Sequence, residues 1–228
     1  METTVTGCAV RPDRTVVAVV GGAGCRVSVD GRPVAWGAPV RVPAGAVLEV
    51  GPAVSGVRGY LAFAGGLEPE PVLGSRSADL LSGLGPAPCA RATRCRSANR
   101  PGSHRSAKAP ARRPPELVLP LHLGPRHAWF TAAALRTLTT AAYRVSPHSN
   151  RIGLRTEGPA LERARDGELP SEGMVLGAIQ VPPDGLPVVF LNDHPTTGGY
   201  PVVGVVPETA LAVAAQAVPG TRVRFVRA

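Results

Sequence analysis

Glycine and proline cut the apolar sequence into pieces the length of a β-strand, and this punctuation limits the fold more than any other feature. Between Thr15 and Val50 the runs TVVAVV, CRVSVDGRPV and PVRVPAGAVLEV follow one another with a turn signal at each junction. Asp30-Gly31 is a two-residue hairpin signal, because both central residues of a type I′ turn need positive φ. Pro182-Pro183-Asp184-Gly185 is a turn between IQV and LPVVFL, with proline and glycine meeting opposite φ requirements. YLAFAGG reads as a buried strand ended by paired glycines, and LVLPLHLGP as another strand. Three helical stretches interrupt the pattern: WFTAAALRTLTTAAY with Thr131 as N-cap, PETALAVAAQAVPG, and a short one from Ser75 to Leu81 capped by Ser75 or Ser77. With 27 glycines and 25 prolines in 228 residues, the expected fold class is mainly β with a few short helices.

The formal charge of +9 suggests an anionic partner only if it is spread over the folded surface. It is concentrated instead between Cys89 and Arg113, which hold eight basic residues, no acidic one and the only lysine, Lys108. The remainder carries 17 basic residues against 16 acidic, so no nucleic-acid partner is expected. No apolar run is long enough to cross a bilayer and METTVTGCAV lacks a leader pattern, so the chain is expected to be cytoplasmic, with no membrane partner. Cys8, Cys25, Cys89 and Cys95 lack paired metal-ligand spacing, and His122, His127 and His148 add none, so no metal is expected. VVAVVGGAG lacks the third glycine and the following helix of a dinucleotide fingerprint.

No phosphate loop, HExxH, GxSxG elbow or paired carboxylate motif is present, and the catalytic residue is unassigned. Polar clusters in glycine-rich turns remain as binding candidates. They are Ser75 and Arg76 in GSRS, Ser149 and Arg151 in SNRIGLR, Gln180 in AIQVPPDG, and Asp193, Thr196, Thr197, Gly198, Gly199 and Tyr200 in NDHPTTGGYP. Each arginine offers a fork matched to carboxylate or phosphate, or alternatively ties loops to carbonyls. Thr196 to Tyr200 either cradle a ligand or form a tight turn with a core tyrosine. Gln180 is expected to point into a barrel, and Asp184 to serve the turn. Asp193 and His194 are adjacent on an extended chain and face opposite ways, which argues against a charge relay.

In order, GVRGYLAFAGG, VLGSRSADLLSGLG, SNRIGLRTEGP, GAIQVPPDGLPVV and DHPTTGGYP resemble the allophanate hydrolase subunit 2 family of biotin-dependent carboxyltransferase-type domains. That family includes KipA, the C subunit of the ATP-dependent 5-oxoprolinase (PxpC) and the carboxyltransferase region of urea carboxylase. The resemblance implies two linked cyclophilin-like β-barrel halves, residues 1–88 and 114–228. The first half is expected to be incomplete, because METTVTG looks like an internal strand of the family and the family's opening segment has no counterpart ahead of it. The resemblance also implies a component of an enzyme that opens 5-oxoproline to glutamate, with ATP bound at the assembled complex. Its partners would be the KipI-like B subunit and the lactamase-like A subunit of 5-oxoprolinase. Arg76, Ser149, Arg151, Gln180 and Thr197 would line a cleft for a small carboxylated amide. The arginines would hold its carboxylate or a phosphorylated intermediate, while hydroxyls and glycine N–H groups would stabilise an oxyanion. Biotin would require a separate carrier protein. The alternatives are a non-catalytic KipA-like regulator of a KipI-like kinase inhibitor and an inactive truncated copy.

Residues 89–113 depart from the family pattern and are expected to form a disordered basic insert. In a GC-rich gene, PCARATRCRS read from the third base becomes LRAGDALPV, close to the RPLRAGD-like text family members carry after the glycines at 83 and 85. The insert therefore reads as out-of-frame translation.

Overall fold

The computed structural model describes residues 1–98, 116–167 and 169–228. The chain divides into two compact units, Met1–Ala111 and Arg112–Ala228. Strands of the first unit are β1 (Glu2–Thr4), β2 (Cys8–Val10), β3 (Val16–Gly24), β4 (Val27–Val29), β5 (Arg32–Pro33), β6 (Val40–Val42), β7 (Leu48–Val50) and β8 (Ser55–Phe63). The second unit contributes β9 (Glu116–Leu123), a 3₁₀ turn over Pro125–Trp129, α1 (Ala132–Thr140), β10 (Tyr143–Val145), β11 (Gly153–Glu157) and β12 (Glu172–Gly173). It continues through β13 (Ala178–Gln180), β14 (Val188–Phe190), β15 (Thr197–Gly198), β16 (Val202–Val205), α2 (Glu208–Ala214) and β17 (Arg222–Arg227). No helix among the described residues is long and apolar enough to cross a membrane.

The first unit is a pair of open four-stranded sheets, β1-β8-β3-β6 and β2-β7-β4-β5. Alternation drives their pairing: Ala18, Val20, Val27, Val42, Leu48, Val50 and Leu61 share one core, while the residues between them face out. Asp30 and Gly31 take φ of 47° and 75°, which gives the β4–β5 hairpin the turn its sequence demands. The long β3 is bulged against β8 between Gly22 and Gly24, so VVAVVGGAG is a strand and no helix follows it.

The second unit closes into a barrel, ordered β10-β11-β14-β13-β16-β9-β17, with β10 pairing β17 to complete the ring. β9 and β17 run parallel with Val223 opposite Leu117 and Phe225 opposite Leu119, so both strands send apolar residues inward in register. Leu119, Leu121, Leu138, Ile179, Val189, Val223 and Phe225 fill the interior. Thr131 caps α1 by accepting a hydrogen bond from the Ala134 amide at 3.0 Å, and Ala134 and Leu138 turn to the core.

The expected helix over Ser75–Leu81 is absent. Leu73 and Gly74 sit at φ of 49° and 79°, and Val72 and Ser75 pair back across them. Beyond that turn, Ser75 Oγ accepts from the Ser77 amide, and the Asp79 carboxylate accepts from the Leu81 amide and the Ser82 hydroxyl. These side-chain acceptors satisfy backbone donors locally and displace the helical ladder. Of the basic stretch, residues 99–113 lie outside the described residues. Within the rest, the Arg96 carbonyl accepts from the Glu68 amide, the Ala98 amide donates to Gly66, and Leu67 and Ser97 form an isolated bridge.

Candidate functional site

The barrel wall has two faces at β13 and β14, and the sequence's alternation separates them. Ile179, Val181, Val189 and Leu191 belong to the interior, whereas Ala178, Val188 and Phe190 form a smaller cluster with Met174 on the other side. Gln180 stands opposite Val188, so its side chain shares that outer face. The expectation that it points into the barrel is thereby corrected, because Ile179 and Val181 on either side of it take the inward positions. It is nonetheless buried, at 8% exposure, because a two-stranded ribbon of β12 and β15 lies over it.

Under this ribbon the polar contacts are few and specific. Gln180 Nε2 donates to the Tyr200 carbonyl at 3.4 Å and approaches Met174 Sδ at 4.0 Å. Gly198 admits the amide: a Cβ there would lie 2.7 Å from Gln180 Nε2. The ribbon is pinned on its outer side by Arg126, whose guanidinium forms a bidentate ion pair with Glu172. That hydrogen-bonded contact lowers the Glu172 carboxyl below its ordinary range and raises the Arg126 guanidinium. Thr196 passes its carbonyl to the Met174 amide, and Thr196, Thr197 and Tyr200 are exposed. The exposure of Tyr200, 44%, removes the reading of a core tyrosine.

In the loops that precede β11 and follow β14, Arg151 Nε meets Asp193 Oδ2 at 3.0 Å. Their loops are also joined by the Asp193 amide donating to the Arg151 carbonyl. With about a third of the guanidinium exposed, the pair contributes at most about 1 kcal/mol to folding, yet keeps a cation at the surface in a set orientation. His194 stacks on Phe190 with ring centroids 5.9 Å apart, and its Nδ1 lies 2.8 Å from the Pro195 carbonyl. Asp193 and His194 therefore serve different neighbours, as their adjacency implies.

Several sequence candidates have structural duties. Ser149 exchanges hydrogen bonds with the Arg155 backbone, and Asn150 accepts from the amides of Ile152 and Gly153, so the SNRIG turn is self-bonded. Asp184 accepts from the Leu186 amide in its turn. Gly199 lies in the connection after β15. Ser75 and Arg76 belong to the first unit, in the exposed turn described above. The structure thus gathers Gln180, Thr196, Thr197, Gly198 and Tyr200 at the ribbon, and sets the Arg151–Asp193 pair in the loops that precede β11 and follow β14. Met174, Arg126 and Glu172 complete the contacts at the ribbon and were missed in the sequence. Arg126 and Glu172 meet across 46 positions, a separation that no local pattern reveals. Among the described residues, no cluster of three metal-ligating side chains exists.

A closed seven-stranded barrel and a glycine-bearing ribbon over one of its faces, preceded in sequence by two open sheets, define a carboxyltransferase-type β protein. The chain belongs to the family described as carboxyltransferase domain, subdomains A and B, whose model matches residues 1–227. It is 33% identical over 210 residues to the C subunit of 5-oxoprolinase from Escherichia coli, covering 90% of this chain and 67% of that protein. It is 30% identical over 245 residues to the urea amidolyase of Lachancea kluyveri, covering 93% of this chain but 13% of that enzyme. Among solved structures it superimposes on TTHA0988 with a TM-score of 0.85 at 34% identity, covering 99% of this chain and 45% of the other. The chain thus spans about two thirds of the bacterial relative and under half of TTHA0988.

Proposed function

We propose that this chain acts within an ATP-dependent amidohydrolase of the 5-oxoprolinase type, opening the lactam of 5-oxoproline to glutamate together with partner subunits. The observation that carries the reading is the 33% identity to the 5-oxoprolinase C subunit across 90% of this chain. In this reading the ribbon-roofed face of the barrel binds the substrate. Arg151, oriented by Asp193, attracts its carboxylate, and Gln180 with the ribbon backbone bonds the amide. ATP is bound by the assembled complex, whose other members are one KipI-like and one lactamase-like subunit.

Co-expression with those two partners, followed by measurement of glutamate formed from 5-oxoproline with and without ATP, tests the proposal. ATP-dependent turnover is expected, and replacing Arg151 by alanine should reduce it about 10- to 100-fold, the cost of one charge-assisted contact. Turnover that does not need this chain, or that is indifferent to Arg151→Ala, overturns the assignment. The likeness to urea amidolyase favours a second reading, transfer of a carboxyl group from biotin on a separate carrier protein. Carboxylation that requires biotinylated carrier and leaves 5-oxoproline untouched distinguishes it.

A further inference from the structure

The first unit carries a concavity with chemistry of its own. On the sheet β2-β7-β4-β5, Val27, Val29, Leu48 and Val50 turn to the core. The alternate positions face out, and register brings Ala9, Glu49 and Ser28 into one row across three strands. Arg26, two residues ahead of Ser28, reaches the same side, and its carbonyl accepts from the Gly51 amide at 2.8 Å. Together with the flanking glycines these residues line a depression of about 490 Å³ that lies largely open to solvent. That volume falls within the roughly 300–1,000 Å³ of small-molecule sites. The backbone that frames it is closely packed, since a Cβ on Gly7 would run into the Val50 carbonyl oxygen and one on Gly51 would lie 3.2 Å from the Arg26 carbonyl oxygen.

Two opposite charges line this space without neutralising one another. The Arg26 guanidinium is exposed and makes no hydrogen bond or ion pair among the described residues. Glu49 Oε2 accepts from the Ser28 hydroxyl at 2.8 Å, which holds the carboxylate against the sheet, and among the described residues it too has no ion pair. A bare anion in the cleft would gain from Arg26 and lose to Glu49, and a bare cation would do the reverse. A compact molecule carrying both charges gains from each.

We propose that this cleft is a binding site for a small zwitterion of the α-amino-acid class, its carboxylate on Arg26 and its ammonium on Glu49. The site lies within the first unit and shares no residue with the barrel face assigned to 5-oxoproline, so the two readings stand or fall separately.

The test is a titration of the full chain at low ionic strength with a panel of free L-amino acids, followed by amide chemical shifts. At least one amino acid should shift the Ala9, Ser28 and Gly51 amides saturably. Its N-acetyl and C-amide derivatives, each lacking one charge, should bind at least about tenfold more weakly, as should the parent amino acid to Arg26→Gln and Glu49→Gln. Melting temperatures of both variants should match the parent, since neither side chain supports the core. Arg151→Ala should bind the amino acid unchanged, which separates this site from the barrel face. The proposal is overturned if no amino acid shifts those amides at millimolar concentration, if the blocked derivatives bind equally, or if the two charge variants bind like the parent.

Discussion

The two units are assembled from the same short, glycine-punctuated strands and reach different ends. In the first, two sheets of four strands remain open among the described residues, with β1, β6, β2 and β5 at their edges. In the second, the parallel pairing of β9 with β17 brings the two sequence ends of the unit together and closes the ring. Closure changes how much can be buried: among the described residues the barrel core gathers 20 buried residues, against 8 for the core of the open sheets. It also changes what the outer surface can be used for. The closed wall bears a ribbon and an ion-paired loop, whereas the open pair offers the depression across β2, β7 and β4.

The barrel's deeper burial predicts the largest energetic contrast. Leu119 is fully buried between β9 and β17, so Leu119→Ala should destabilise the chain by about 3–5 kcal/mol in urea titration, the upper part of the range for such deletions. Leu48→Ala, in the smaller core and next to solvent-facing strands, should cost nearer to about 2–3 kcal/mol. Equal losses would mean that closure adds nothing to packing. Amide exchange sharpens the same point, with the slowest amides expected in β9, β13 and β17 and faster exchange along the edge strands of the first unit.

Glycine separates the units next. Gly177 of the barrel has a φ of 81°, and a Cβ there would run into the Val206 carbonyl oxygen, backbone that cannot step aside. Gly177→Ala should therefore cost about 3 kcal/mol, strain and collision together. Gly31 has a similar φ of 75° but open space around it, so Gly31→Ala should cost about 1 kcal/mol. Thermal melts of the pair isolate the packing contribution, because the backbone strain is common to both.

A third contrast is hidden inside the barrel. Tyr143 is fully buried against Phe225, and its hydroxyl has no partner among the described residues. Burial pushes its pKa up to about 12. The folded state thus holds the phenolic proton more tightly than the unfolded chain. Stability is complete below about pH 10, the phenol's unfolded value, and declines as pH rises toward 12, by about 2–3 kcal/mol at the limit. Tyr143→Phe should remove this alkaline decline and, by relieving an unpaired buried hydroxyl, raise stability at neutral pH by about 1 kcal/mol. A variant that melts lower than the parent at neutral pH would contradict the unpartnered state of that hydroxyl.

Features decided within a few residues were legible in the sequence: the Asp30-Gly31 hairpin, the Thr131 cap and the turn ending at Gly185, where φ is 74°. The family was legible as well, because five motifs in order carry it. The helix expected after Ser75 failed because Ser75 and Asp79 offered their oxygen acceptors to the next turn of backbone, a competition that composition does not reveal. Gln180 was recognised as a candidate but placed on the wrong face. Which side of IQV is interior depends on closure of the barrel by β9 and β17, at opposite ends of the unit's sequence, and the ribbon that buries the outer side is equally non-local. The cleft with Arg26 and Glu49 escaped for the same reason, since its row of residues exists only once three strands are in register.

The smallest effect concerns how the ribbon is held. Arg126 and Glu172 are partly exposed, so their ion pair does little for the fold as a whole. Its influence is local: it ties β12, and through β12 the strand bearing Thr197 and Gly198, to the 3₁₀ turn that contains Arg126. Because Arg126 lowers the Glu172 carboxyl, the tie is complete above the ordinary carboxylate pKa and is lost as pH falls below it. Glu172→Gln should leave the global melt unchanged at neutral pH while speeding exchange of the Met174 amide, which donates to Thr196 within the ribbon. In the parent protein the same loss of protection, taken against the intrinsic exchange rate at each pH, should appear on acidification, and in the variant it should not. If Met174 exchanges at one rate in both proteins, the ribbon is held by the apolar cluster of Met174, Val188 and Phe190 alone. The barrel face would then keep its roof by packing, as the open sheets of the first unit keep their cores, and not by charge.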